Sequence, residues 1–230
     1  MIPQCPPLMA AVFDLDGTLV DAFEDIRRAL NAALAPRGLP LIAPEEIKPL
    51  VGNGLRRLIE DAVGGRLAAE EKQTLARDYA RQYEEHLTDT TRVYEGMEDV
   101  LRQARARGLR LAVLSNKPHD LTAGIIERTG LAPYFDLVWG QRPGSPRKPD
   151  PACLRLILER LRAPCAATVV VGDGETDMAM GRAAGTRLAA CLYGARSREQ
   201  LSPFNPDVWI AQPADLAKWI DEMAGERKAE

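Results

Sequence analysis

The sequence predicts an α/β protein: a doubly wound parallel sheet with a block of helices inserted after its first strand. Three observations carry this. Short, continuously apolar runs (AVF before Asp14, LRLAVL before Ser115, TVVV before Gly172) alternate with amphipathic runs, the pattern of strands buried between helices. Residues 22–90 interrupt that alternation with apolar residues recurring at three and four and no strand-like run. Polar clusters also close three of the apolar runs, at Asp14/Asp16, Ser115–Lys117 and Asp173–Asp177. In open parallel sheets, ligands bind beyond the carboxyl ends of the strands.

Taken in order, AVFDLDGTLV is the first strand and its turn. The insert reads as three helical runs, FEDIRRALNAAL, PEEIKPLVGNGLRRLIEDAV and LAAEEKQTLARDYARQYEEHL, broken by Pro36, Gly38 and Pro40 and by Gly64 and Gly65. EDVLRQARARG is a helix stopped at Gly108, a C′ position. LRLAVLSNK is a strand, 119–129 a helix, FDLVWG a strand and CLRLILERL a helix after the loop QRPGSPRKPDP. TVVVGDGETD brings a strand into a turn with the helix MAMGRAAG behind it. RLAACLYG and DVWI are the last strands, and ADLAKWIDEMA closes the chain.

Composition excludes several classes. A net charge of −3 and a pI near 5.6 give no electrostatic reason to bind nucleic acid or an anionic membrane. No window approaches eighteen uninterrupted apolar residues, so no membrane span is expected. The N-terminus lacks the basic start and apolar core of a signal peptide. Cys5, Cys153, Cys165 and Cys191 are scattered without a C-x-x-C pair, which fits reduced thiols in a cytoplasmic protein.

The chemistry begins with Asp14 and Asp16. Residues i and i+2 of a strand face the same side, and two carboxylates 4 Å apart repel by roughly 4 kcal/mol at an effective dielectric near 20. Such a pair needs water or a cation. A turn is the plain alternative. A calcium loop fails, because it requires glycine sixth and glutamate twelfth, whereas Gly17 is fourth and Asp25 twelfth. A nucleophilic carboxylate beside an acid/base carboxylate is the chemical reading.

GDGETD is not a dinucleotide loop, since Asp177 stands where G-x-G-x-x-G needs its last glycine. Asp173 and Asp177 at a strand mouth suit an oxygen-seeking cation such as Mg²⁺; capping of the next helix by Asp177 or Thr176 is compatible with that. Ser115 and Asn116 form a turn or donate to phosphoryl oxygens. Lys148 is a solvated loop lysine or one positioned by the flanking prolines. His86 and His119 read as surface residues.

Together these motifs resemble the haloacid dehalogenase-like hydrolases: FDLDGTLVD their first motif, LSN the second, Lys148 in SPRKPDP the third and VGDGETD the fourth. VGNG, RLAVLSNKP and RKPDP look most like the phosphoglycolate phosphatase branch. The resemblance implies a Rossmann-like core (1–21 and 91–230) and an inserted helical cap (22–90). It implies a cytoplasmic monomer or homodimer acting on a small phosphorylated metabolite. Asp14 would be the nucleophile and Asp16 the acid/base. Mg²⁺ would be held by Asp14, Asp16 (through its carbonyl) and Asp173, with Asp177 in support; Ser115, Asn116 and Lys148 would grip the phosphoryl group. Gly174 departs from the serine or threonine common after G-D. In the cap, Gly52, Asn53 and Gly54 would break a helix and turn its N-terminal amides to the cleft, where Arg56 or Arg57 could meet a substrate carboxylate; the plain alternative is that both arginines face solvent. The rival expectations are a phosphosugar mutase and a non-catalytic binding member of the fold.

Overall fold

The apolar runs become the inner strands of one six-stranded sheet. A computed structural model describes residues 6–224. The strands are β1 (Ala10–Phe13), β2 (Val20–Asp21), β3 (Arg92–Val93), β4 (Arg110–Pro118), β5 (Leu137–Gln141), β6 (Thr168–Gly172), β7 (Arg187–Cys191) and β8 (Val208–Ile210). The main sheet runs β5-β4-β1-β6-β7-β8 with every pairing parallel. The chain lays β4 and β5 on one side of β1 and then returns to the other, so the strand order reverses around β1.

Side chains alternate between two cores, as the period of two requires. Ala11, Phe13, Leu111, Val113, Val169 and Val171 face one; Ala10, Val12, Ala112, Leu114 and Val170 face the other. Helices α5 (Met97–Ala106), α6 (His119–Arg128) and α10 (Pro213–Ala224) cover the first face, and α7 (Pro151–Leu161) and α8 (Glu175–Ala184) the second. Burial of each such Leu, Val or Phe contributes roughly 1.5–3 kcal/mol, which makes the sheet a rigid base for the loops at its carboxyl edge. Gly108, at φ +71°, follows α5 and stops it as expected.

The helices α1 (Phe23–Leu34), α2 (Ile47–Leu50), α3 (Leu55–Val63) and α4 (Ala69–Glu85) lie between β2 and β3. Those two strands pair antiparallel, Val20 with Val93 and Asp21 with Arg92, a stem that the sequence reading did not include. Buried Asp25 on α1 fixes the return: it accepts the N–H and hydroxyl of both Thr90 and Thr91 at 2.6–3.0 Å. The run expected as PEEIKPLVGNGLRRLIEDAV divides at Val51–Gly54, where Gly52 and Gly54 take φ of +109° and +82°. A four-residue helix, α9 (Arg198–Leu201), follows β7.

Among the described residues no helix is long and apolar enough to cross a membrane. Cys153, Cys165 and Cys191 are free thiols, and Cys5 lies outside the described residues.

Candidate active site

The reversal of strand order brings three polar strand tips together. β1 ends at Phe13, yet the Asp14 N–H still donates to Val171 O of β6 at 2.9 Å, so Asp14 sits directly beside the turn that carries Asp173. The acidic side chains of Asp14, Asp16, Asp173 and Asp177 are all buried. Glycine makes that crowding possible. At Gly17, with φ +88°, a Cβ would fall 2.2 Å from Asp173 Oδ2; at Gly194 it would fall 2.3 Å from the same oxygen. Into this notch Thr18 Oγ1 donates to Asp173 Oδ1 (2.9 Å) and the Ala195 N–H to Asp173 Oδ2 (2.7 Å). Asp177, in the first turn of α8, accepts the Gly174 N–H at 3.1 Å through Oδ2. It therefore caps the helix with one oxygen and presents the other to the cluster.

The two aspartates of the first motif have different partners. Lys148 Nζ donates to Asp14 Oδ1 and to Asp177 Oδ1, both at 2.6 Å. Its loop is fixed by Asp150, which accepts the Ala152 N–H at 2.8 Å as α7 starts at Pro151. Lys117 Nζ, from the end of β4, donates to Asp16 Oδ1 at 2.6 Å and to the Tyr83 hydroxyl of α4 at 2.7 Å. The like-charge problem posed by Asp14 and Asp16 is thus answered by two lysines, Lys117 from the end of β4 and Lys148 from the loop before α7.

Four buried carboxylates against two buried ammoniums still leave negative charge uncompensated. Burial, then Asp14 and Asp177, push the Asp173 carboxyl up to about 7; burial, then Asp14, push Asp177 up to about 6. Burial works to lower Lys148, but Asp14 and Asp177 outweigh it and hold the ammonium above its ordinary range. Burial raises Asp16 and lowers Lys117, each partly opposed by the other's charge. Oxygens of Asp14, Asp173 and Asp177 lie within 4.8 Å of one another. This all-oxygen donor set, short of positive charge and cradled by glycines, fits a hard divalent cation.

Above the cluster lies a cavity lined on the sheet side by Asp14, Asp16, Ser115, Asn116 and Lys117, and across from them by Leu50, Val51, Leu55, Leu58 and Tyr79.

A model of haloacid dehalogenase-like hydrolases matches residues 8–185. The chain belongs to that family. It is 35% identical over 215 residues to the phosphoglycolate phosphatase of Chromobacterium violaceum, covering 92% of this chain and 97% of the relative. It is 32% identical over 210 residues to that of Aquifex aeolicus, covering 91% and 95%. The crystal structure of a predicted phosphoglycolate phosphatase from Haemophilus somnus superposes with a TM-score of 0.85 at 26% identity, over 93% of this chain and 98% of the other.

Of the residues expected in this hydrolase's site, the fold brings Asp14, Asp16, Asp173, Asp177, Ser115, Asn116 and Lys148 to one place. Asn116 does more than turn the chain. Its Nδ2 donates to Gly52 O (3.0 Å) and Lys148 O (3.1 Å), tying the loop before α3 to the loop of Lys148, and its buried Oδ1 has no partner. Gly52 and Gly54 line the cavity, whereas Asn53 only accepts from Arg147 Nη1 at 3.3 Å. Arg56 does not reach it: the side chain is 84% exposed and pairs with Glu60 one turn along α3 at 2.9 Å, as Arg57 pairs with Asp61. Helical spacing of i and i+4 turns both arginines outward. His119, expected at the surface, is half-buried and accepts the Gly140 N–H through Nδ1 at 3.3 Å; His86 is exposed.

Two residues were missed. Lys117 follows the motif LSN at the same strand parity as Ser115, a signal that alternation alone offered. Buried Arg196 donates to the carbonyls of Lys48, Pro49 and Val51 at 2.9–3.2 Å, clamping the α2 loop to the sheet. No sequence period marks it.

Proposed function

We propose that this hydrolase is a Mg²⁺-dependent phosphatase of small anionic phosphomonoesters, with 2-phosphoglycolate its leading substrate, acting through a phosphoryl group carried on Asp14. The relatives named phosphoglycolate phosphatase support the substrate class. The separate environments of Asp14 and Asp16 carry the mechanism: one carboxylate is bound to Lys148, the other to Lys117 in a buried site that raises its pKa. Two carboxyl groups held in different surroundings take different roles.

Asp14 attacks phosphorus as the ester oxygen leaves. Asp16, favoured by burial in its protonated form, gives that oxygen a proton; the resulting carboxylate then takes one from the water that hydrolyses the phosphoryl-aspartate, which returns both groups to their starting states. Lys148 and the Ser115 hydroxyl hold the phosphoryl oxygens, and phosphoryl transfer depends chiefly on such positioning and charge neutralisation. Asp14, Asp173 and the Asp16 carbonyl would hold Mg²⁺, supported by Asp177, and the ion supplies charge neutralisation for the transferring group. Asn116, with both amide N–H groups engaged, holds the loops in register. Residues 22–90 act as the cap over the leaving group.

Release of inorganic phosphate from 2-phosphoglycolate, with Mg²⁺ present, tests this reading. The wild type should turn over and Asp14→Asn should not. An Asp14→Asn protein as active as wild type removes Asp14 as nucleophile. Isomerisation of a hexose 1-phosphate without phosphate release would instead make the protein a mutase.

A further inference from the structure

Lys117 is the one cationic side chain among those lining the cavity. It enters from the core, between the acid/base carboxylate and the cap, and is buried to 8% exposure. An ammonium has three N–H donors. Asp16 Oδ1 and the Tyr83 hydroxyl take two of them, at 2.6 and 2.7 Å, and the Tyr83 ring lies 4.6 Å from Nζ. These contacts hold the ammonium at the cavity wall and leave it a third donor with no protein hydrogen-bond partner among the described residues. Around it the walls are apolar: Ile26, Leu50, Val51, Leu58 and Leu121. An anion entering such a wall needs a cation at its own depth, because a buried carboxylate without one is strongly disfavoured. Arg56 and Arg57 are outside, each paired with an acid of its own helix turn.

Resting on the phosphatase reading of this site, we propose that Lys117 is the residue that selects a carboxylate on the leaving group, using its third donor, while its other two donors hold Asp16 beside the ester oxygen of the same substrate. One ammonium thus links recognition of the leaving group to placement of the residue that protonates it. The substrate class follows: phosphomonoesters of short hydroxy-carboxylates, in which the carboxylate stands one or two carbons from the ester oxygen.

The experiment compares 2-phosphoglycolate with 2-hydroxyethyl phosphate, which has the same chain length and phosphate but a hydroxymethyl group for the carboxylate. In wild type, kcat/KM should favour 2-phosphoglycolate by about tenfold or more, since a site built to bond a polar group rejects the analogue lacking it. In Lys117→Gln both substrates lose kcat as Asp16 loosens, but the preference should collapse to within about threefold, through a rise in KM for 2-phosphoglycolate alone. Lys117→Arg, which keeps the charge, should restore most of the preference. An unchanged ratio in Lys117→Gln, or a wild type without preference, overturns the proposal. If Lys117→Gln does not fold, product inhibition of wild type decides: glycolate should inhibit at least about tenfold more tightly than ethylene glycol, and equal inhibition overturns the proposal. Failure of the underlying reading looks different, because wild type would then also leave p-nitrophenyl phosphate uncleaved with Mg²⁺ present.

Discussion

The cluster of Asp14, Asp173 and Asp177 should make the metal-free protein less stable as pH rises, and Mg²⁺ should abolish that loss. Asp173 is lifted by folding from the ordinary 3.8 to about 7. A carboxyl raised in this way costs nothing while it is protonated in both states, below about pH 4. The cost grows as the unfolded chain ionises and the folded one resists, and is complete above about pH 7. The gap amounts to on the order of 4 kcal/mol. For a chain of this size that corresponds to roughly 10 °C in thermal midpoint. Differential scanning calorimetry with a chelator, from pH 5 to pH 8, should show the midpoint falling by roughly two-thirds of that, about 7 °C, since the rest of the cost is already present at pH 5; saturating Mg²⁺ should raise it far more at pH 8 than at pH 5. Asp173→Asn should flatten the metal-free profile and remove most of the Mg²⁺ effect. A metal-free midpoint that is level across this range, or a Mg²⁺ effect equal at both pH values, refutes the reasoning.

Three other perturbations follow from single contacts. Gly17→Ala drives a Cβ to within 2.2 Å of Asp173 Oδ2 at a φ of +88°, so it should fold with reduced stability and show no Mg²⁺-induced rise in midpoint, read by the same calorimetry. Arg196→Met removes three hydrogen bonds to the carbonyls of residues 48, 49 and 51; trypsin should then cut at Arg56 or Arg57 several-fold faster, and KM should rise more than kcat falls. Asp25→Asn leaves one acceptor oxygen where two serve Thr90 and Thr91, and should cost on the order of 2–4 kcal/mol by urea titration. Burial alone would raise Asp25, but the hydroxyl and N–H donors of Thr90 and Thr91 outweigh it and lower its pKa. Its contribution is therefore present above the ordinary carboxylate value and lost as pH falls through the folded one, so wild type should lose more stability than the variant on acidification.

The sheet and its catalytic edge were legible because burial writes them plainly. AVF, LAVL and VVVG are apolar on both faces since both faces are covered, and Asp14, Ser115 and Asp173 stand where those runs stop. The β2–β3 stem was not legible, because two residues per strand carry no period. For Arg56 and Arg57 the sequence left two readings, toward a substrate or toward solvent; each finds an acid four residues on along α3, a pairing visible in the sequence yet indecisive without knowing which helix face is packed. Lys117 stands in the polar cluster Ser115–Lys117 that closes its apolar run, but nothing local in the sequence gives it a partner. Only the meeting of Tyr83, from α4, with Asp16, from the turn after β1, makes it a buried cation. Arg196 lies in a loop after β7 whose partners are 145 or more residues away along the chain, a separation that no local pattern records.

The central claim is that Asp14 carries the phosphoryl group. Acid-quenching the enzyme during turnover of 2-phosphoglycolate, reducing it with borohydride and sequencing its peptides by mass spectrometry tests that directly, since hydride converts an acyl phosphate to an alcohol. The account predicts homoserine at position 14 and unmodified aspartate at 16, 173 and 177. Full turnover with no reduction at Asp14, or reduction at another of these carboxylates, would contradict it.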